Sequence, residues 1–145
     1  MSETGHLARR WASSLSRREP AYVDTAWAES NLLDGELQLW RRLDAADRRH
    51  AIAVGRRFAA MGTWTREEMA GALLHDIGKL DSQLGIAGRV LATVVGPRTA
   101  RFRRYHDHER IGAEMLVIAG SSPVTVELVR AHGPAAAALA EADRI

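Results

Sequence analysis

Signals that begin and end helices recur along this chain and constrain its fold more than any other feature. Asp44 precedes an amphipathic stretch, Thr65 stands three residues before Glu68 in a capping-box pattern, and Ser122 precedes a proline suited to a first helical turn. Strand signals are nearly absent, because only residues 89–95, "RVLATVV", are rich in β-branched side chains. The pattern predicts an all-α protein, a compact bundle of about eight helices.

Two further signals bound individual helices. Asp34 stands before "GELQLWRRL" and is predicted to cap a short helix, and Gly120 is predicted to end "DHERIGAEMLVIAG". The helix that follows Thr65 runs through "MAGALLHDIG", so His75 and Asp76 are predicted in its last turn.

The composition limits which kinds of fold and functional site the chain can form. The 145 residues suffice for one domain with its own core, and the apolar fraction of 46% is that of an ordinary globular protein. The chain has no cysteine, which excludes disulfides, thiolate nucleophiles and zinc–thiolate sites. Any metal must therefore be held by His, Asp and Glu, which favours Fe, Mn, Co, Ni or Mg.

Charge and hydropathy narrow the set of partners. The net charge of +2 does not by itself indicate nucleic-acid binding. No stretch approaches the roughly 20 apolar residues of a membrane span, and "MSETGHLARR" lacks the apolar core of a signal peptide. The expected location is the cytoplasm, without membrane contact, and the sequence is compatible with an oligomer.

Residues able to bind metal are distributed over several predicted helices. A site assembled from several helices of a bundle can hold metal without any local cluster in the sequence. His75 and Asp76 are adjacent near a predicted helix end, where both can turn toward one ion, and a carboxylate can bridge two ions. Such ligands suit a hydrated divalent cation and lower the pKa of its bound water. The candidates are His50, His75, Asp76, His108, His132 and Asp143.

The order of these residues resembles the H…HD…D signature of the HD-domain superfamily of metal-dependent phosphohydrolases. "LLHDIGK" is a typical form of its central motif. "HERIGAEML" and "LVRAH" are similar to segments that supply further ligands in dinuclear members, and "ALAEADRI" is similar to the ending that carries the last aspartate. The resemblance begins at about Asp44. It implies an HD domain over residues 44–145, with residues 1–43 as a helical extension packed on it.

The resemblance also implies the ligand set and the reaction. The chain would hold one or two divalent ions, with Asp76 as the bridge between two, and metal-activated water would cleave a phosphate ester, usually of a nucleotide or another small phosphorylated substrate. The first ion would be held by His50, His75, Asp76 and Asp143, and the second by Asp76, His108 and His132.

Two basic residues are candidates for substrate binding. The chain has nineteen arginines and a single lysine, Lys79, which follows the His-Asp pair and is predicted to offer a positive charge to a substrate phosphate. The alternative is an ordinary surface lysine at a helix end, where cations are favoured. Arg104 lies in the basic run "RTARFRRYHDHER", which is either a phosphate-facing patch or a solvated helix face.

Two other classes of function stay open. A few HD-fold proteins use a dinuclear iron site to activate dioxygen on a small molecule, and this ligand set permits that chemistry. A non-catalytic module that binds a nucleotide or a partner protein through the same pocket is the third interpretation. The chain lacks the Gly-Tyr-Pro motif after His132, which does not favour the cyclic-di-GMP phosphodiesterase branch.

Overall fold

Every regular element in the described part of the chain is a helix. The computed structural model describes residues 16–82 and 108–145, and within them none of the helices is long and apolar enough to cross a membrane. The all-α prediction holds for these residues. The total of about eight helices for the whole chain stays a prediction, because residues 1–15 and 83–107, with "RVLATVV" among them, lie outside the described part.

The described helices are α1 (Tyr22–Ser30), α2 (Asp34–Arg41), α3 (Ala45–Ala60), α4 (Arg66–Leu73), α5 (Lys79–Ser82), α6 (His108–Ala119), α7 (Pro123–Val129) and α8 (Ala136–Arg144).

Three predicted helix starts are confirmed by side-chain caps. Oδ1 of Asp44 accepts a hydrogen bond from the backbone N–H of Asp47 at 2.8 Å. Thr65 and Glu68 form a reciprocal capping box, and the hydroxyl of Ser122 accepts from a backbone N–H in the first turn of α7. These caps satisfy backbone donors that have no partner inside the helix, so each helix begins where its sequence signal stands.

Two predicted boundaries are wrong. Asp34 is the first residue of α2 rather than its cap, and the backbone N–H of Leu33 instead donates to Oε2 of Glu36 at 2.8 Å. Helix α4 ends at Leu73, so His75 and Asp76 lie beyond it in a tighter turn. In that turn the backbone bonds run from residue i to i−3, which rotates successive side chains differently from an α-helix.

Two buried clusters hold the helices together. The first joins α1, α2, α3, α4, α6 and α7 around Trp40, Leu73 and Leu116, and the second joins α3, α4, α7 and α8 around Phe58 and Leu139. Leu74 and Ile77, which flank the His-Asp pair, are fully buried in the first cluster. Burying these two side chains fixes the turn between α4 and α5 against the core.

The described part of the predicted extension also packs on this core. Trp27 of α1 contacts both clusters, and Leu37 of α2 packs against the first. The division of the chain between residues 43 and 44 stays a prediction.

Candidate metal centre

Three segments distant in the sequence bring a cluster of imidazoles and carboxylates together. His50 comes from α3, His75 from the turn after α4, and Asp143 from the last turn of α8. Oδ1 of Asp143 lies 3.0 Å from Nε2 of His50 and 3.4 Å from Nε2 of His75. One ligand atom from each of the three residues lies within 4.8 Å of the others, which is compatible with a shared metal ion.

The protonation of His75 follows from its backbone contact. Its Nδ1 lies 2.8 Å from the carbonyl oxygen of Ala72, and because a carbonyl only accepts hydrogen bonds, Nδ1 must donate. In the neutral ring, Nε2 then carries a lone pair. A backbone carbonyl that fixes the tautomer in this way is typical of metal-binding histidines.

The same Nε2 atom of His75 is buried and has no hydrogen-bond partner among the described residues. It faces Oδ2 of Asp76 at 3.5 Å and Oδ1 of Asp143 at 3.4 Å. A lone pair directed at two carboxylates is unfavourable unless a cation lies between them. These donor atoms therefore fit a divalent cation. Without a cation, the two carboxylates favour a proton on Nε2 of His75.

The electrostatics of the cluster agree with that geometry. Burial alone would lower the pKa of His75, but the carboxylates of Asp76 and Asp143 outweigh it and raise that pKa above its ordinary value. Burial would raise the pKa of Asp76, yet the cationic and donor groups around it, led by His75, hold it well below the usual range. The hydrogen-bond contact with Nε2 of His50 and the nearby imidazole of His75 also lower the pKa of Asp143. Both carboxylates are therefore ionised at neutral pH.

Asp76 faces histidines with both of its oxygens. Oδ2 lies 3.5 Å from Nε2 of His75 and 3.9 Å from Nε2 of His50, whereas Oδ1 lies 3.4 Å from Nε2 of His108. His108 begins α6 and faces the other oxygen of this carboxylate. An aspartate placed in this way has the geometry to bridge two cations.

Two glycines permit this approach of His108 to Asp76. A Cβ atom added to Gly78 would overlap the backbone carbonyl of His108, and one added to Gly112 would lie 3.0 Å from the backbone nitrogen of Gly78. The turn that carries the His-Asp pair therefore crosses the first turns of α6 at backbone contact distance. Gly78 belongs to the quoted central motif, and Gly112 belongs to "HERIGAEML".

The structure does not bring His132 to the other candidate ligands. Helix α7 ends at Val129, three residues before His132, and Ala131 adopts a left-handed φ of 62°. The chain turns outward there, leaving the side chain of His132 66% exposed, with its Nδ1 3.4 Å from Oε2 of Glu127. A ligand role for His132 stays a prediction.

Lys79 lies in the site, but in a contact that the sequence did not indicate. It is the first residue of α5 rather than the end of a helix, and its side chain is only 18% exposed. Its Nζ lies 2.7 Å from Oδ2 of Asp76. The structure thus places Lys79 against a candidate ligand rather than on an open surface. Arg104 lies outside the described residues.

Two supporting groups were not predicted from the sequence. One is the carbonyl of Ala72, and a signal for it exists, because the last carbonyls of a helix lack intrahelical partners and a residue just beyond the helix can reach them. The other is Gly112, whose close contact with Gly78 joins segments far apart in the sequence. No local pattern identifies such a contact.

No protein-family model, curated protein or solved structure matches this chain. The assignment to the HD-domain superfamily therefore stays a prediction, and the function is argued from the site itself.

Proposed function

We propose that this protein is a metal-dependent phosphohydrolase that cleaves a phosphate ester of a nucleotide or a small phosphorylated metabolite. The observation that carries the proposal is the buried Nε2 of His75, which faces the carboxylates of Asp76 and Asp143 without a hydrogen-bond partner among the described residues. The ordered resemblance to HD-domain phosphohydrolases supports phosphate-ester hydrolysis as the reaction class.

The ligands divide into two groups around Asp76. His50, His75, Asp76 and Asp143 would hold one ion, and Asp76 and His108 would hold a second. Nitrogen and oxygen donors without sulfur suit Fe, Mn, Co, Ni or Mg. When bound, such an ion lowers the pKa of a water molecule and offsets the negative charge of the phosphoryl group.

The residues around the ions orient a ligand, admit the substrate and supply a positive charge. Ala72 holds the imidazole of His75 through its carbonyl, so that Nε2 needs no reorientation when a cation arrives. The side chain of Asp143 is 42% exposed, so the cluster is open to solvent on that side and a substrate can reach it. Lys79 supplies a compact positive charge beside Asp76, and we assign it to a phosphate oxygen of the substrate.

The test begins with metal content, measured by elemental analysis on protein purified without chelator or a metal-binding tag. We expect bound transition metal in the wild type and its loss in His75→Ala. His132→Ala tests the ligand role that the sequence predicts for His132. The structure places this side chain on the surface beside Glu127, so we expect the variant to keep the metal. The metal-loaded protein is then assayed for phosphate release from nucleotides and sugar phosphates.

Each outcome distinguishes between the functions considered. Phosphate release that disappears in His75→Ala supports the proposal. Oxygen consumption by an iron-loaded protein without phosphate release would replace it with an oxygenase, and ligand binding without turnover would replace it with a binding module. Protein that binds no metal after reconstitution would contradict the proposed site.

A further inference from the structure

The last turn of α8 is tied to α3 by a residue outside the ligand set. Nε of Arg57 donates a hydrogen bond of 2.7 Å to the backbone carbonyl of Ala142. Ala142 immediately precedes Asp143 and is fully buried, and Arg57 itself is partly buried. The last carbonyls of a helix have no intrahelical donor, and a cation there is favoured by the helix dipole.

We propose that Arg57 is a positioning residue that holds Asp143 in place as a metal ligand. The inference rests on the metal site proposed above. It concerns the immobilisation of one ligand, and it does not depend on which reaction the metal performs.

The register of α3 supports this role. His50 and Arg57 are seven residues apart, which is close to two helical turns, so both side chains leave the same face of α3. His50 contacts the carboxylate of Asp143 at 3.0 Å, and Arg57 contacts the backbone one residue earlier. Helix α3 therefore holds the end of α8 at two neighbouring points, one through a side chain and one through the main chain.

The position of Asp143 makes such an anchor necessary. Asp143 lies in the last turn of a nine-residue helix, and terminal turns are the first to open. The nearby ion pair between Glu141 and Arg144 lies within α8, so it cannot fix that turn relative to α3. A ligand carboxylate must stay within a few tenths of an ångström of its coordinating position, which requires a fixed backbone beneath it.

Arg57→Met removes the donor and keeps an unbranched side chain that reaches about as far as Nε of Arg57, and the neighbouring Arg56 offers a control. Arg56 stacks on the ring of Trp27 at 3.9 Å and pairs with Asp24 at 3.0 Å, so Arg56→Met removes an equal charge and comparable packing from the same helix. Arg57→Gln serves as a milder second replacement. The two measurements are Mn²⁺ affinity by titration calorimetry and amide hydrogen exchange across α8 in the metal-free protein.

We expect Arg57→Met to weaken Mn²⁺ binding by about 10- to 100-fold, the usual range for residues that orient a ligand. Exchange in the last turn of α8 should become faster, while Arg56→Met should leave both quantities near wild type. Faster exchange with unchanged Mn²⁺ affinity would overturn the proposal, because Arg57 would then only stabilise the helix. An equal loss of affinity in Arg56→Met would overturn it as well.

The result separates this inference from the proposed reaction. Weaker Mn²⁺ binding in Arg57→Met supports the positioning role even if the protein releases no phosphate from any substrate. Conversely, if the protein hydrolyses phosphate esters but Arg57→Met leaves its Mn²⁺ affinity unchanged, the positioning role is wrong and the proposed function is still supported.

Discussion

The ammonium of Lys79 lies 2.7 Å from Oδ2 of Asp76, the same oxygen that faces the imidazoles of His50 and His75. The ammonium of Lys79 thus contacts an oxygen of Asp76, a residue that we propose as a metal ligand. The two cations cannot share one oxygen without mutual repulsion, so binding of a metal must displace or weaken the contact of Lys79. We assign the ammonium of Lys79, once it has left Asp76, to a phosphate oxygen of the substrate.

We predict that Lys79→Met raises the affinity for Mn²⁺. A hydrogen bond between charged groups contributes about 1.5–3 kcal/mol, so removing this competitor should tighten binding by about 10- to 150-fold. Titration calorimetry measures the change, and Arg41→Met is the control, because it removes an equal charge from a surface pair with Glu29 on α2 and α1. Unchanged or weaker Mn²⁺ binding in Lys79→Met would show that the two cations do not compete.

The raised pKa of His75 predicts opposite pH dependences with and without metal. In the metal-free protein, the stability contributed by protonated His75 is fully present below its ordinary pKa of 6.5 and is lost as pH rises through the higher folded value. The lowered pKa values of Asp76 and Asp143 contribute stability above their ordinary 3.8, which is lost as pH falls. These three groups together favour the metal-free fold most between the two ordinary values.

Metal binding reverses the slope on the alkaline side, because a ligand imidazole must be neutral. We expect the Tm of the metal-free wild type, relative to His75→Gln, to fall between about pH 6.5 and pH 8. With Mn²⁺ present, the same difference should rise over that interval. Thermal melts across the range measure it, and a metal-free difference that stays flat would mean that His75 does not titrate between the carboxylates.

Gly112→Ala tests the contact that brings His108 to Asp76. The added methyl would lie 3.0 Å from the backbone nitrogen of Gly78 and 3.1 Å from a side-chain carbon of Ile77, so α6 must shift slightly away. We expect the weaker of two metal-binding steps to be lost and the stronger one retained, at a stability cost of about 1–3 kcal/mol.

The control for Gly112→Ala is overpacking at another helix crossing. Gly71→Ala would bring a methyl 2.8 Å from Leu128, between α4 and α7, at a comparable cost in stability. Metal titrations of both variants show whether the loss is specific. If Gly71→Ala loses the same binding step, the crossing at Gly78 has no particular role in placing His108.

Glu36 is predicted to carry much of the stability outside the site. Its side chain is 0% exposed, with Oε1 2.8 Å from the hydroxyl of Ser121 and Oε2 2.8 Å from the backbone nitrogen of Leu33 and 3.3 Å from Arg66. Glu36→Ala leaves these groups without their acceptor and should lower the free energy of unfolding by about 3–5 kcal/mol. Urea denaturation measures the change.

An exposed ion pair provides the comparison. Glu114 pairs with Arg110 across one turn of α6 at 3.0 Å, and both side chains are more than half exposed. Glu114→Ala should change stability by less than about 1 kcal/mol. Similar losses in Glu36→Ala and Glu114→Ala would mean that burial does not strengthen the Glu36 contacts.

The sequence predicted the helical class and several helix starts because both partners of each cap lie three residues apart in the chain. The donor and the acceptor are present in the same short segment for Asp44, for Thr65 with Glu68, and for Ser122. A contact of that range needs no knowledge of the rest of the molecule. The sequence also predicted His50, His75 and Asp143 as candidate ligands, and the structure brings these three side chains together.

What the sequence could not determine depends on where each helix ends and how it crosses its neighbours. Helix α7 stops at Val129, which leaves His132 on the surface, and the contact of Arg57 with Ala142 joins residues 85 positions apart. The ion pair of Lys79 with Asp76 spans only three residues, but it lies in the tighter turn that follows the end of α4 at Leu73, an end that the sequence placed later. Sequence patterns determine local hydrogen bonds, whereas the packing of helices decides which of the polar side chains meet.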